Sequence, residues 1–178
     1  MHNGLQLQLI SYLSVLRHWV GTRRLFGAPE LHPAGVFYVN LRGRYERQDH
    51  RAAALQNPDS ARKLAYRHVG RFDSSLLHWL DARPGHPQGD QFNYRRTANG
   101  AINKQCSEAL EPSRFFLLLD SAEASLRRMG SEILAGNIDL APYRRGLTTS
   151  CDQCSYQAIC RIDPWTHQFR TLSPPREP

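Results

Sequence analysis

Three cysteines close together near the C-terminus constrain this chain more than any other feature. The run Cys151-Asp152-Gln153-Cys154-Ser155-Tyr156-Gln157-Ala158-Ile159-Cys160 has the spacing C-x2-C-x5-C. Two thiolates at the first spacing reach one centre through a tight turn, and the third returns after a short loop. Soft thiolates so arranged suit zinc or an iron–sulfur cluster. A disulfide is the weaker reading, because a C-x2-C pair staples little chain and nothing in the sequence has the look of an export signal. A fourth ligand is then needed. Cys106, far upstream in a polar stretch, and His167, past Cys160, are the candidates within the chain. The third possibility is a ligand from outside it.

The 178 residues allow one domain with a core of its own. The formal net charge is +7, and nearly all the positive charge is arginine, since Lys63 and Lys104 are the two lysines. Arginine grips phosphate through a planar fork of donors, so this bias fits a nucleic-acid partner as well as it fits an arginine-rich genome. No apolar run approaches the length needed to span a bilayer. The N-terminus carries no basic region ahead of its apolar part, so it is not a secretory signal. Reduced cysteines without an export signal place the chain in the cytoplasm, with no membrane partner.

Leu5, Leu9, Tyr12, Leu13, Leu16 and Trp19-Val20 recur at helical steps, with Asn3 as a cap and Gly21 as a stop. Val36 to Leu41 reads as a buried strand between Pro33 and Arg42-Gly43. A polar linker runs from Arg44 to Gln56. Asn57-Pro58 opens a helix to about Val69, ended by Gly70, and a short helix starts at Asp73 or Ser74 and runs through Leu80. Asn99-Gly100, flanked by Phe92–Arg95 and Ala101–Lys104, signals a hairpin. The longest helix spans Pro112 to Ala135 with Gly136 as its cap. Phe115, Leu118, Leu119, Ala122, Leu126, Met129 and Ile133 form its apolar stripe. Residues 1–165 read as the folded part, an α/β and helix-rich arrangement, and 166–178 as a Pro-rich disordered tail.

Two segments resemble one family. Gly4 to Leu13 is similar to the Q-x3-Y helix of the RecB/AddB-type PD-(D/E)XK nucleases, with Gln8 and Tyr12 as the matching residues. Pro142-Tyr143-Arg144 and then Cys151-x2-Cys154-Ser155-Tyr156-x3-Cys160-Arg161-Ile162-Asp163 resemble the iron–sulfur C-terminus of AddB-type helicase–nuclease subunits. Arg67 to Asp73, the Asn99-Gly100 hairpin and Gly136-Asn137-Ile138 lie between them in the family's order. The resemblance covers about Gly4 to Asp163.

It implies a partial restriction-endonuclease-like (PD-(D/E)XK) domain with a C-terminal cysteine cluster. Gln8 and Tyr12, at i and i+4 on one helical face, would be accessory residues beside DNA. Cys151, Cys154 and Cys160 would ligate a structural [4Fe–4S] cluster whose fourth ligand lies outside the chain. Cys106 would then be an ordinary thiol and His167 a tail residue. The parent would be an Mg²⁺-dependent DNA exonuclease working with an AddA-like helicase–nuclease subunit in double-strand-break repair. This class cuts phosphodiesters with a metal held by an Asp and by the acid of an Asp/Glu-x-Lys element. Ala61 precedes Lys63 by two residues and Ile102 precedes Lys104 by two, so no Asp/Glu-x-Lys exists in the 178 residues. In the family that element and the first cluster cysteine lie upstream of the Q-x3-Y helix. The expectation is a C-terminal fragment without nuclease activity of its own. Asp73, Asp120 and Asp163 fit caps and helix faces better than a metal site. The arginine pairs, Arg144–Arg145 among them, fit a solvated face or phosphate contacts. The rival reading is a non-enzymatic zinc module that binds nucleic acid, with His167 or Cys106 completing the three cysteines.

Overall fold

The computed structural model describes residues 7–39, 41, 47, 49–56, 63, 65–83, 85–105, 108–163 and 165–172. The expected cap Asn3, the Asn57-Pro58 helix start and Cys106 fall outside them. The chain divides into two compact units, one of Gln8–Glu123 and one that includes Ala124–Pro178.

The first unit opens with helix α1 (Gln8–Arg17), whose buried residues are Ile10 and Ser14. That pair is four apart, so a single narrow stripe faces inward. The helix stops three residues before the expected Val20. Gly21, at φ +84°, then turns the chain into the short helix α2 (Thr22–Phe26). Strand β1 (Gly35–Tyr38) covers the first half of the apolar run expected to be a strand, while Val39 and Leu41 lie beyond it and are exposed. Within the stretch read as a linker, Arg51–Gln56 form helix α3.

The central strand of this unit lies where the sequence suggested the end of a helix. The helix expected to reach Val69 has given way by Arg67, and β2 (Val69–Asp73) takes its place. It pairs antiparallel with β1, from Gly35 against Phe72 to Tyr38 against Val69. On its other edge it pairs parallel with β3 (Ala109–Leu110), Phe72 against Ala109 and Asp73 against Leu110. Gly70 is therefore a strand residue and not a helix stop. A Cβ there would collide with the Val36 carbonyl of the neighbouring strand, so the close approach of β1 to β2 requires glycine. Just before the start of β3, the Glu108 carboxylate accepts the Gly70 N–H at 2.8 Å and continues the ladder with a side chain.

Asp73 ends β2 and caps the turn after it. Its carboxylate accepts the Ser75 N–H at 2.8 Å and the Ser75 hydroxyl at 2.7 Å. A 3-10 turn (Ser74–Leu76) then runs into α4 (Leu77–Leu80), as the sequence predicted. The hairpin signal also holds. Arg96 bridges Ile102, Thr97 N–H donates to the Ala101 carbonyl at 2.8 Å, and Gly100 N–H donates to the Thr97 carbonyl at 2.9 Å. With Gly100 at φ +82°, this is a three-residue loop closed by a left-handed glycine, one residue longer than the tightest Asn-Gly turn. The core gathers Phe72, Leu77, Tyr94 and Ala109, with Phe37, Leu80, Phe92 and Ile102 packed against them. Phe37 and Phe92 meet edge-on, their centroids 5.1 Å apart.

Helix α5 (Pro112–Leu134) starts in this unit, where Phe115, Leu119 and Ala122 are buried. The stripe predicted to continue to Ile133 does not stay buried, because Ile133 and Leu134 are exposed. The helix ends as expected. Gly136 N–H donates to the Ile133 carbonyl and Asn137 N–H to the Glu132 carbonyl, both at 3.0 Å, with Gly136 at φ +73°.

In the second unit, β4 (Tyr143–Arg145) lies between β5 (Thr148–Thr149) and β6 (Arg170–Thr171). Pairing is antiparallel to β5 and parallel to β6. Within the stretch 166–178 expected to be disordered, Arg170–Thr171 form β6. Backbone donation from Arg170 to Pro142 and from Leu172 to Arg144, at 2.9 Å each, holds it there. A short helix, α6 (Gln157–Cys160), sits in the intervening loop and ends at Arg161 in a left-handed conformation (φ +51°).

Candidate functional site

Helix α1 puts Gln8 and Tyr12 on the face away from its buried stripe. At 100° per residue, Gln8 and Tyr12 lie about 40° apart and roughly opposite Ile10 and Ser14. Tyr12 is 58% exposed, so it is not a core tyrosine. The Gln8 side-chain amide donates to the Tyr12 hydroxyl at 3.1 Å. That bond leaves the amide oxygen as an acceptor and the phenol proton as a donor, on an exposed pair. The helix that carries the pair is tied down at its far end. Arg17 donates to Asp120 of α5 at 2.6 Å and lies 5.4 Å over the Phe116 ring, and His18 meets the Glu123 carboxylate at 3.1 Å. Asp120 thus serves a helix face, as its sequence position suggested.

The cysteine loop is organised by backbone contacts. Cys154 N–H donates to the Cys151 carbonyl at 3.1 Å, closing the turn that the C-x2-C spacing demands. Asp152 accepts the Thr149 N–H at 2.9 Å and the Thr149 hydroxyl at 2.5 Å; the hydroxyl bond is the larger of the two causes that hold its carboxyl below the usual range. Cys151 N–H meets the Thr149 hydroxyl at 3.2 Å, and the Gln157 side chain donates to the Cys151 carbonyl. Cys160 closes α6. All three cysteines are free thiols, Cys151 and Cys160 half-buried and Cys154 exposed. Free, accessible thiols are the soft donors that iron–sulfur clusters and zinc take. Their placement is less complete than their chemistry: among the described residues, no three His, Cys, Asp or Glu converge on a point that could hold a metal ion. One ring nitrogen of His167 is used in a local turn. Its Nδ1 accepts the Asp163 N–H at 3.1 Å, in a turn that Asp163 also caps through the Trp165 N–H at 2.9 Å.

The strongest electrostatic centre in the first unit has no counterpart in the sequence motifs. Arg83 forks onto Asp81, with Nε–Oδ1 2.8 Å and Nη2–Oδ2 2.6 Å, and reaches Asp90 at 2.7 Å. Lys63 meets the same Asp90 oxygen at 3.0 Å, and the Tyr94 hydroxyl donates to Asp81 at 2.9 Å. Hydrogen bonding from Arg83 holds the Asp81 carboxyl well below its ordinary value, with Tyr94 adding to the effect, and the same bond raises Arg83. Lys63 is the main cause lowering Asp90. Burial, then the bond to Asp81, pushes the Tyr94 phenol up. Every charge in this cluster is compensated within it, which marks a clamp on the loop and not a pair of groups poised for proton transfer. The Asp81-x-Arg83 spacing is its one trace in the sequence.

The central strand β2 between β1 and β3, with α1 packed against β1, is mixed α/β architecture of the kind expected from the Q-x3-Y resemblance. The family description for the PD-(D/E)XK nuclease superfamily matches residues 2–161, and the chain belongs to that superfamily. Within it, the chain is similar to the B subunit of the ATP-dependent helicase/deoxyribonuclease of Alkaliphilus oremlandii (strain OhILAs), 26% identical over 174 residues, which is 97% of this chain and 15% of that protein. The protein of the same description from Moorella thermoacetica (strain ATCC 39073 / JCM 9320) is 31% identical over 174 residues, 92% of this chain and 14% of that protein. The one from Lactobacillus johnsonii (strain CNCM I-12250 / La1 / NCC 533) is 29% identical over 174 residues, 90% of this chain and 15% of that protein. The chain thus spans about 15% of the length of the curated relatives it matches. No helix among the described residues is long and apolar enough to cross a membrane.

Proposed function

We propose that this chain is a nuclease-domain module of the B subunit of a helicase/deoxyribonuclease, acting on DNA in double-strand-break repair. The exposed, hydrogen-bonded Gln8–Tyr12 pair carries the reading. A polar pair held on the outward face of an otherwise anchored helix is poised to meet a ligand and serves no packing purpose. In this role the Gln8 amide and Tyr12 phenol orient a DNA strand beside the reacting phosphodiester. The acid and lysine that bind Mg²⁺ and position water are supplied by a segment other than these 178 residues, which hold no Asp/Glu-x-Lys. An AddA-like partner is part of the same reading.

Cys151, Cys154 and Cys160 are proposed to hold a [4Fe–4S] cluster together with a ligand from outside the chain. When bound, the cluster supplies a cross-link whose binding energy adds to folding energy. The residues themselves set the loop in place through Thr149, Asp152 and Gln157. Anaerobic reconstitution of the chain joined to the cysteine-bearing upstream region of a relative should yield brown protein with iron and inorganic sulfide. Cys151→Ser, Cys154→Ser and Cys160→Ser should each abolish the colour. Colourless protein carrying one zinc would replace the cluster reading with the zinc one.

The nuclease reading is tested separately. The purified chain should leave labelled linear DNA intact in Mg²⁺. Fusion to a relative's segment carrying the Asp and Asp/Glu-x-Lys elements should confer cleavage, and Gln8→Ala with Tyr12→Phe should reduce it. Mg²⁺-dependent cutting by the 178 residues alone would overturn the assignment of the catalytic acid to another segment.

A further inference from the structure

The second unit carries a cationic face that neither α1 nor the cysteine loop accounts for. Strand register and side-chain alternation sort its residues. Arg145 pairs with Thr148, and Tyr143 pairs with Arg170. Tyr143 and Arg145 are two apart on β4, so Tyr143, Arg145, Thr148 and Arg170 project from one side of the three strands. Arg144, paired with Thr149 and Thr171, projects from the other side, where its guanidinium lies 4.4 Å over the Phe169 ring. The two arginine sets are therefore not equivalent. Arg144 is held by an aromatic ring. Arg145 and Arg170 are exposed and make no ion pair among the described residues.

Among the described residues, no carboxylate of the adjoining loops forms an ion pair with that face. Asp152 is bound to Thr149, and Asp163 accepts the Trp165 N–H. The face that remains holds two guanidiniums without an ion pair, a threonine hydroxyl and a half-buried tyrosine ring on neighbouring strands. Forked donors suit phosphate oxygens, a hydroxyl adds a neutral hydrogen bond, and an aromatic ring offers a base a surface to stack on. A duplex presents its bases already stacked, so the ring is of use only to an unpaired strand.

We propose that this face of β5-β4-β6 binds the backbone of single-stranded DNA, with Arg145 and Arg170 on successive phosphates and Tyr143 against a base. The choice of DNA rests on the function proposed above; the binding itself needs neither cleavage nor a metal centre. It would give the module a hold on the strand that is separate in the chain from the Gln8–Tyr12 helix.

The test is fluorescence anisotropy of a labelled single-stranded oligonucleotide titrated with the full chain, without Mg²⁺, across a range of salt. Arg145→Gln with Arg170→Gln should weaken binding by about tenfold or more and flatten the salt dependence by about 1.4 in log–log slope, the loss of two single-strand phosphate contacts. Arg145→Lys with Arg170→Lys should retain part of the affinity. Arg23→Gln with Arg24→Gln, the same change of charge on α2, should have a much smaller effect. Tyr143→Leu should weaken binding without changing the slope. Equal losses from the two arginine-to-glutamine pairs would show an effect of net charge alone and overturn the site, as would unchanged binding in the Arg145/Arg170 variant. A parent chain that binds duplex but not single strands would overturn it too. Absent cleavage in the fusion described above, with these binding results intact, would count against the nuclease reading only.

Discussion

Tyr94 shows how a single side chain can join packing to electrostatics. It is 2% exposed within the aromatic core, and its hydroxyl donates to Asp81 at 2.9 Å. Tyr94→Phe keeps the ring and removes a hydrogen bond to an ionised group, so unfolding in urea should show a loss of about 1–2 kcal/mol. The same cluster sets a pH dependence. Asp81 is ionised in the folded chain to a lower pH than its ordinary value of 3.8. Its contribution to stability is therefore complete above that ordinary value and is lost as pH falls below it, toward the folded-state value. The stability gap between the parent and Asp81→Asn should narrow as pH is lowered from 5 through 3; a constant gap would show that the Arg83 fork contributes nothing. Neither residue stands out in the sequence. A tyrosine in a hairpin arm and an Asp-x-Arg in a loop are ordinary locally, and only the fold brings them within hydrogen-bond reach. Gln8 and Tyr12 are legible because their spacing alone puts them on one helical face.

At the scale of elements, local signals serve where the element is stabilised locally. The Asp73 cap, the Gly100 turn and the Gly136 terminus each depend on neighbours within a few residues, and each stands where the sequence places it. Strand β2 escapes the sequence reading because its five residues include Gly70 and Arg71 and come after a helical pattern, so glycine reads as a helix stop. Its identity comes from β1, more than thirty residues earlier in the chain, and from Glu108, much later. Strand β3 has two residues and no local signature at all. Gly70→Ala tests this account: the new methyl would meet the Val36 carbonyl, and overpacking of that kind should cost about 1–3 kcal/mol by chemical denaturation. A cost below about 0.5 kcal/mol would show that the approach of the Val36 carbonyl does not require glycine there. Ser14 offers the opposite case. Its buried hydroxyl has no hydrogen-bond partner among the described residues, so Ser14→Ala should leave thermal stability unchanged or raise it, since alanine also favours the helix.

For the whole molecule, the chain belongs to the PD-(D/E)XK nuclease superfamily and matches proteins several times its length; that its 178 residues bind DNA without cutting it is the proposal to be tested. The sequence by itself determined the family, the Q-x3-Y helix, the cysteine spacing and the absence of an Asp/Glu-x-Lys element. These are matters of residue identity at short separation, where bond geometry and helical period leave little choice. Tertiary structure decided which strand is central, that Tyr12 faces outward, and that residues 170–171 return to flank β4. Each of those depends on pairing between segments far apart in the chain, whose free energy no local stretch of sequence contains.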